Sequence, residues 1–355
     1  MVREGFIEDI TARGPPVVVY HWDADGMISA MHIVMAAGED TVLHPPKFTF
    51  KVTREFIESL KKSLTRSRTI LILDLAYPGK ILDMIAKETG ARVIVVDHHY
   101  QEEEPRSPNV EYINPASKGD QEGRWPSAAH VLARLLGKYH PALVAASIVG
   151  DLGPAAKANR EYQNYMVEAG LDPVNDYWII QEAVEQLNSI DRMGNYHGLR
   201  WIPKVHAIGQ FDPLKSVLND PLLTTLRTQA DVEWEELVAR AEEELREEAP
   251  GILGVVLEGE GRHVSKLARH LASKHRGKII VVAYYASSTG EARVYARAYG
   301  YDKPLTPLIR YFKKLGYEAG GKYQRNNNVV GVECAREEME KVYKLMIEKL
   351  KEMAG

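Results

Sequence analysis

Three short apolar runs near the start of the chain each stop at a carboxylate or an imidazole. Val17-Val18-Val19-Tyr20 leads into His21-Trp22-Asp23-Ala24-Asp25-Gly26, Ile70-Leu71-Ile72-Leu73 into Asp74, and Val93-Ile94-Val95-Val96 into Asp97-His98-His99. Runs of this length, mostly β-branched, predict buried strands. The polar groups that follow are costly to bury without a partner, so they belong at strand ends where a ligand compensates them.

The segments between these strands predict crossover helices. Met27 to Ala37 is apolar with Gly38 as a stop, and Thr53 to Leu64 carries Phe56, Ile57, Leu60 and Leu64 at helical spacing. Pro78 to Thr89 opens on a proline and is followed by Gly90, the usual asymmetry of helix ends. Strand, helix, strand in succession means parallel pairing, and ligands of such α/β sheets bind outside the carboxyl ends of the strands. Leu143 to Val149 reads as a strand or a helix end, with Ala142, Ala145 and Ala146 favouring helix.

Further along, the pattern turns acidic and helical, with Glu233, Glu235, Glu236, Glu242, Glu243, Glu244, Glu247 and Glu248 before Pro250-Gly251. Trp234, Leu237, Ala241 and Leu245 give this stretch one apolar stripe, so it reads as a solvated linking helix that packs on something. Strands and helices then resume: Ile252 to Leu257, Val264 to Lys274, Ile279 to Tyr285, Ala292 to Tyr299, Pro307 to Gly316 and Ala335 to Met353. The expected architecture is α/β: an N-terminal parallel-sheet domain over 1–212, an acidic helical linker over 213–250, and a smaller C-terminal α/β domain over 251–355. An active-site cleft is expected between the two domains.

Composition narrows the classes. A chain of 355 residues can bury two cores, and its net charge of −4 gives no global signature of a nucleic-acid binder. An anionic substrate would then need a local patch or bound metal. The single cysteine, Cys334, excludes an intramolecular disulfide and a cysteine-rich zinc site. With no run of signal-peptide or membrane-span character, a cytoplasmic protein is expected.

Taken in order, His21-Trp22-Asp23-Ala24-Asp25-Gly26, Asp74, Asp97-His98-His99 and Gly150-Asp151 resemble the four motifs of the DHH phosphoesterase superfamily. That superfamily includes RecJ-like single-strand nucleases, nano-RNases, cyclic-dinucleotide phosphodiesterases and family II pyrophosphatases. Singly, Asp74 or Asp151 reads as readily as a helix cap or turn residue; the joint pattern carries the resemblance. Asp151 rests more on the resemblance than on its own surroundings.

The resemblance implies one cation on His21, Asp23 and Asp74 and a second on Asp25, Asp74, His98 and Asp151, with Asp74 bridging. Four carboxylates offset two divalent cations, and this oxygen-rich set suits Mn²⁺, with Mg²⁺ as a substitute. Such a pair activates water for attack on phosphorus. It also implies a catalytic role for His99 beside the scissile phosphate and for Asp97 as the orienter of a ligating histidine. The region from Gly251 onward resembles a divergent DHHA1 substrate domain. Its glycine-rich stretch, Gly320-Gly321-Lys322-Tyr323-Gln324-Arg325-Asn326-Asn327-Asn328, lacks the histidine usual there.

Gly320, Gly321, Lys322, Arg325 and Asn326 are candidates for contact with a phosphate backbone, and Arg293 and Arg297, four apart on one predicted strand, for a local positive face. The function implied is Mn²⁺-dependent hydrolysis of single-stranded nucleic acid in the manner of RecJ-like exonucleases, particularly archaeal ones. A lean towards 3′ to 5′ polarity on DNA comes only from compact archaeal relatives such as the Hef-associated nuclease. Alternatives are a phosphodiesterase for short oligonucleotides or cyclic dinucleotides, and a non-catalytic replication or repair scaffold. A replication or repair protein partner is compatible with any of these, no membrane association is expected, and a homo-oligomer is left open.

Overall fold

The computed structural model describes residues 4–99, 103–115, 124–208, 212–324 and 327–354. By internal contacts the chain divides into two units, one of residues 1–191 with 195–227 and one of residues 192–194 with 228–355.

The first unit is built on a five-stranded sheet ordered β2-β1-β3-β4-β5. Its strands are β1 (Val17–Tyr20), β2 (Val42–Leu43), β3 (Thr69–Leu73), β4 (Arg92–Val96) and β5 (Val110–Ile113). Every pairing is parallel. β1 and β3 are buried along their whole length, which is why they read as unbroken apolar runs rather than alternating ones. The predicted crossovers form as α2 (Ala24–Ala37), α3 (Arg54–Ser63) and α4 (Gly79–Thr89), after a short α1 (Phe6–Thr11). Thr53 caps α3 through its side chain, and Gly90, at φ 66°, ends α4 in the left-handed region.

Among the described residues seven α-helices follow, and sequence patterning resolved only parts of two. They are α5 (Ala128–Leu136), α6 (Pro141–Leu152), α7 (Arg160–Glu168), α8 (Tyr177–Arg192), α9 (Tyr196–Ala207), α10 (Pro213–Leu218) and α11 (Pro221–Glu244). The Leu143 to Val149 run is helical, inside α6, where the alanines are buried. The acidic stretch after residue 233 is only partly helical. α11 ends at Glu244 and Arg246–Ala249 form strand β6, an edge strand whose charged residues protect it from further pairing.

The second unit holds a six-stranded mixed sheet ordered β10-β11-β9-β8-β7-β6. Beyond β6 its strands are β7 (Ile252–Gly259), β8 (Ile279–Ala286), β9 (Glu291–Ala298), β10 (Glu318–Gln324) and β11 (Asn327–Cys334). α12 (Val264–Lys274) covers one face, packed on Ile280, Val282 and Tyr284. α13 (Pro307–Lys314) and α14 (Met339–Ala354) cover the other, packed on Val281, Val294 and Val330. The glycine-rich stretch falls on the antiparallel pair β10–β11, with Gly320 opposite Gly331 and Lys322 opposite Val329. Among the described residues no helix is long and apolar enough to cross a membrane.

Candidate metal centre

The three strands β1, β3 and β4 are neighbours in register, so their ends deliver His21, Asp74 and Asp97 to one edge of the sheet. After β1 the chain turns at once into α2. Asp23 is the N-cap and accepts from the Gly26 amide at 3.1 Å. A Cβ on Gly26 would lie 2.2 Å from the His21 carbonyl oxygen, so this turn admits only glycine there. Asn188 of α8, which sequence patterning did not single out, accepts from the Ala24 amide at 2.9 Å and fixes the start of α2.

Asp74 sits just past β3 with φ 57°, in the left-handed region that aspartate tolerates better than most residues. Its amide donates to the Val96 carbonyl at 3.0 Å. The carboxylate is almost completely buried, and neither oxygen accepts a hydrogen bond. The His21 Nδ1 atom lies 3.6 Å from one oxygen and the His98 Nε2 atom 3.5 Å from the other.

Asp97 departs from the sequence expectation in the imidazole that its side chain holds. Asp97, fully buried, accepts through Oδ1 from the His98 and His99 amides and lies 2.9 Å from His99 Nδ1. It therefore orients His99, whereas the His98 ring is held by its own Nδ1, which donates to the Trp125 carbonyl at 3.1 Å. That bond fixes the orientation of the ring and leaves Nε2 facing carboxylates. Nε2 is 3.1 Å from Asp151, 3.5 Å from Asp74 and 3.8 Å from Asp25.

Asp151 comes from the last turn of α6, and Asp25 from the first turn of α2. At Gly150 those helices lie close: a Cβ there would be in ordinary contact, 3.4 Å, with that of Ala24. Both Asp25 oxygens accept from the first amides of α5, Ala128 at 2.6 Å and Ala129 at 2.9 Å. A buried carboxylate thus faces the positive end of a helix.

Electrostatically the cluster is unbalanced. Among the described residues no lysine or arginine pairs with Asp23, Asp25, Asp74 or Asp151; their ion-pair partners are His21, His98 and His99. Burial pushes the Asp25 and Asp74 carboxyls well above the usual range, reinforced by Asp151 for the former and Asp25 for the latter. Burial opposes charge on His98 too, but Asp151 and Asp74 outweigh it and hold the imidazole well above its ordinary value. At Asp23 burial opposes charge likewise, and the neighbouring His21 outweighs it and holds the carboxyl low.

The donor set fits divalent cations. His21 Nδ1, both Asp74 oxygens, His98 Nε2 and Asp151 Oδ2 are buried polar atoms with no hydrogen-bond partner. Such orphans are rare in folded proteins and costly unless something outside the chain compensates them. Their ligand atoms fall into close groups: His21, Asp23 and Asp74; Asp25, His98 and Asp151; and Asp74, His98 and His99. The structure thereby brings together all six residues singled out as ligands, with Asp74 and His98 each in two groups.

The expected substrate residues are placed less openly. Arg293 and Arg297 do not line a bare strand face: Arg293 pairs with Glu291 and Glu333, and Arg297, only 4% exposed, donates to the Tyr299 hydroxyl. Gly320, Gly321 and Lys322 lie on the edge strand β10, and a Cβ on Gly320 would meet nothing within 4 Å. Arg325 and Asn326 lie outside the described residues.

A family model described as DHH family, N-terminal domain, matches residues 16–152. No curated protein matches the sequence. Among solved structures, the chain is similar to exonuclease RecJ bound to manganese, with a TM-score of 0.63 and 16% identity over 98% of this chain and 92% of that one. Against RecJ from Thermus thermophilus in complex with Mn²⁺ the TM-score is 0.65 at 16% identity, over 98% of this chain and 53% of that one. CDC45 from Entamoeba histolytica is similar at a TM-score of 0.52 and 11% identity, over 97% of each chain. Residues 16–152 thus match the DHH-family N-terminal domain, and the chain as a whole shares the α/β fold of the RecJ structures.

Proposed function

We propose that the protein is a Mn²⁺-dependent phosphodiesterase that removes nucleotides from single-stranded nucleic acid. The observation that carries this reading is the convergence of five orphaned buried ligand atoms at the ends of β1, β3 and β4 and the last turn of α6. In this reading His21, Asp23 and Asp74 hold one cation, and Asp25, Asp74, His98 and Asp151 the other. The RecJ structures similar in fold hold Mn²⁺ or Mg²⁺, which supports the same choice of ions here. Bound there, divalent cations neutralise phosphoryl charge and activate water for attack on phosphorus.

The chain's own residues orient and hold protons around that centre. Trp125 fixes His98 so that Nε2 points at the carboxylates. Asp97 holds the half-exposed His99 through Nδ1, which leaves Nε2 to donate to a non-bridging phosphate oxygen when the ring is protonated. The open edge at Gly320, Gly321 and Lys322 is suited to contact with a phosphate backbone; Arg293 and Arg297 would act there only by exchanging their present partners.

Single-strand exonuclease action with 3′ to 5′ polarity is the favoured form, by likeness to archaeal RecJ-like enzymes. Short oligonucleotides and cyclic dinucleotides are the alternative substrates. A scaffold without catalysis fits poorly, because every proposed ligand is retained. The test is digestion of end-labelled single strands of graded length, and of the matching duplexes, with Mn²⁺. Mononucleotide release from single strands but not duplexes is expected; equal cleavage of both, or none, would overturn the reading.

A further inference from the structure

Beside the centre, one aromatic side chain is placed in a way that core packing does not account for. Phe50 is 47% exposed, yet its ring stacks on that of His21, with centroids 5.5 Å apart and planes 24° apart, and its centroid lies 4.9 Å from that of Trp22. Trp22 is itself buried, so Phe50 rests on a rigid base.

The loop that carries it is built to hold this position. Phe48, two residues earlier, is buried with φ 53°; it and Asp74 are the non-glycine residues with left-handed backbone among those described. Strain of this kind, on the order of 1–3 kcal/mol at each such residue, persists where surrounding structure enforces it and gathers at functional sites. Here the enforcement is visible: the Phe48 ring packs edge-on against Trp22 and Tyr196, and the Tyr196 hydroxyl donates to the Pro45 carbonyl at 3.0 Å. The stretch from His44 to Thr53 contains no acidic residue, and its exposed Lys47 and Lys51 make no ion pair among the described residues. A cationic, acid-free loop presenting a flat aromatic ring suits a polyanion whose units are themselves flat.

We infer that Phe50 is the platform on which a base of the bound strand stacks as the adjoining phosphate reaches the carboxylate and imidazole cluster. The platform tolerates any base, since every base has a π-face, and it gives a nucleotide an advantage over a base-free phosphodiester. This inference rests on the phosphodiesterase reading.

The test compares wild type, Phe50→Ala, Phe50→Leu and Phe50→Tyr on two Mn²⁺-supported substrates, single strands identical except that the terminal nucleotides either carry or lack their bases. Phe50→Ala and Phe50→Leu should raise KM for the base-bearing strand by about tenfold, the scale of one lost base–aromatic stack. Both should leave the base-free strand unchanged, and Phe50→Tyr should match wild type on both. Equal losses on the two strands would make Phe50 a packing residue for His21 and overturn the inference, as would no loss on either. Failure of wild type to cleave either strand would instead overturn the phosphodiesterase reading beneath it.

Discussion

Each unit of the molecule buries a cluster of ionisable side chains, and the two clusters are neutralised in different ways. In the second unit Arg262 and Arg293 share Glu291, the first at 2.6 Å, and Arg293 also reaches Glu333 at 3.6 Å. Cations and anions there come from the same chain. In the first unit Asp23, Asp25, Asp74 and Asp151 converge without any lysine or arginine partner among the described residues. Burying charges of one sign raises their free energy until counter-charge arrives. The difference separates a network that closes on itself from one whose charge, among the described residues, no lysine or arginine meets, which is the pattern the proposed cation site requires.

The sharpest way to break this comparison is to remove the central carboxylate. Asp74→Asn should abolish phosphodiester hydrolysis, well beyond the roughly 10–100-fold that loss of an outer partner costs a metal site. A steady-state assay that found near-normal turnover would show that the cluster is not the active centre. Asp97→Asn is the graded counterpart. Its charge holds His99 rather than a cation, so activity should fall by roughly 10–100-fold while Mn²⁺ binding persists.

Stability separates the two clusters next. Mn²⁺ at about 100 times its dissociation constant stabilises by about 2.7 kcal/mol for each site filled, which at about 2–4 °C per kcal/mol should raise the melting temperature by roughly 5–10 °C per bound ion. Glu291→Gln in the second unit should lower the melting temperature of the protein but leave the Mn²⁺ increment intact. Scanning calorimetry with and without the ion checks both, and loss of the increment in Glu291→Gln would show that the clusters are not independent.

Acid gives the smallest effect. Burial holds His32, in the middle of α2, at a pKa of about 4. The unfolded chain takes up a proton near the ordinary value of about 6.5, so this contribution is complete above that pH and declines as pH falls towards the folded value. At pH 5.5 the loss from this one side chain is about 1–1.5 kcal/mol. His32→Gln should flatten the decline of melting temperature between about pH 6.5 and 5, and an unchanged slope would assign it to other groups.

Much of the centre was legible because its chemistry is local. His21, Asp23 and Asp25 lie within one turn, and Asp97 to His99 are consecutive, so strand ends alone locate them. What holds them was not legible. The amides that receive Asp25 are those of Ala128 and Ala129, the carbonyl that fixes His98 is that of Trp125, and the acceptor for Ala24 is Asn188. These contacts join segments far apart in sequence, and no periodicity encodes them. The hairpin β10–β11 was missed for another reason: an edge strand with two glycines lacks the alternating apolar pattern, and its pairing is set by Val329, Val330 and Val332 across from it. Arg293 and Arg297 were read as exposed because the sequence does not reveal Glu291, Glu333 and Tyr299 as their neighbours.

The measurement that bears most directly on the central claim is a calorimetric titration of the metal-free protein with Mn²⁺, run on wild type and on Asp74→Asn. Two Mn²⁺ should bind per wild-type chain, with binding sharply weakened in Asp74→Asn because both sites lose a shared ligand. Absence of Mn²⁺ binding by the wild type, or binding that Asp74→Asn leaves unaltered, would contradict it.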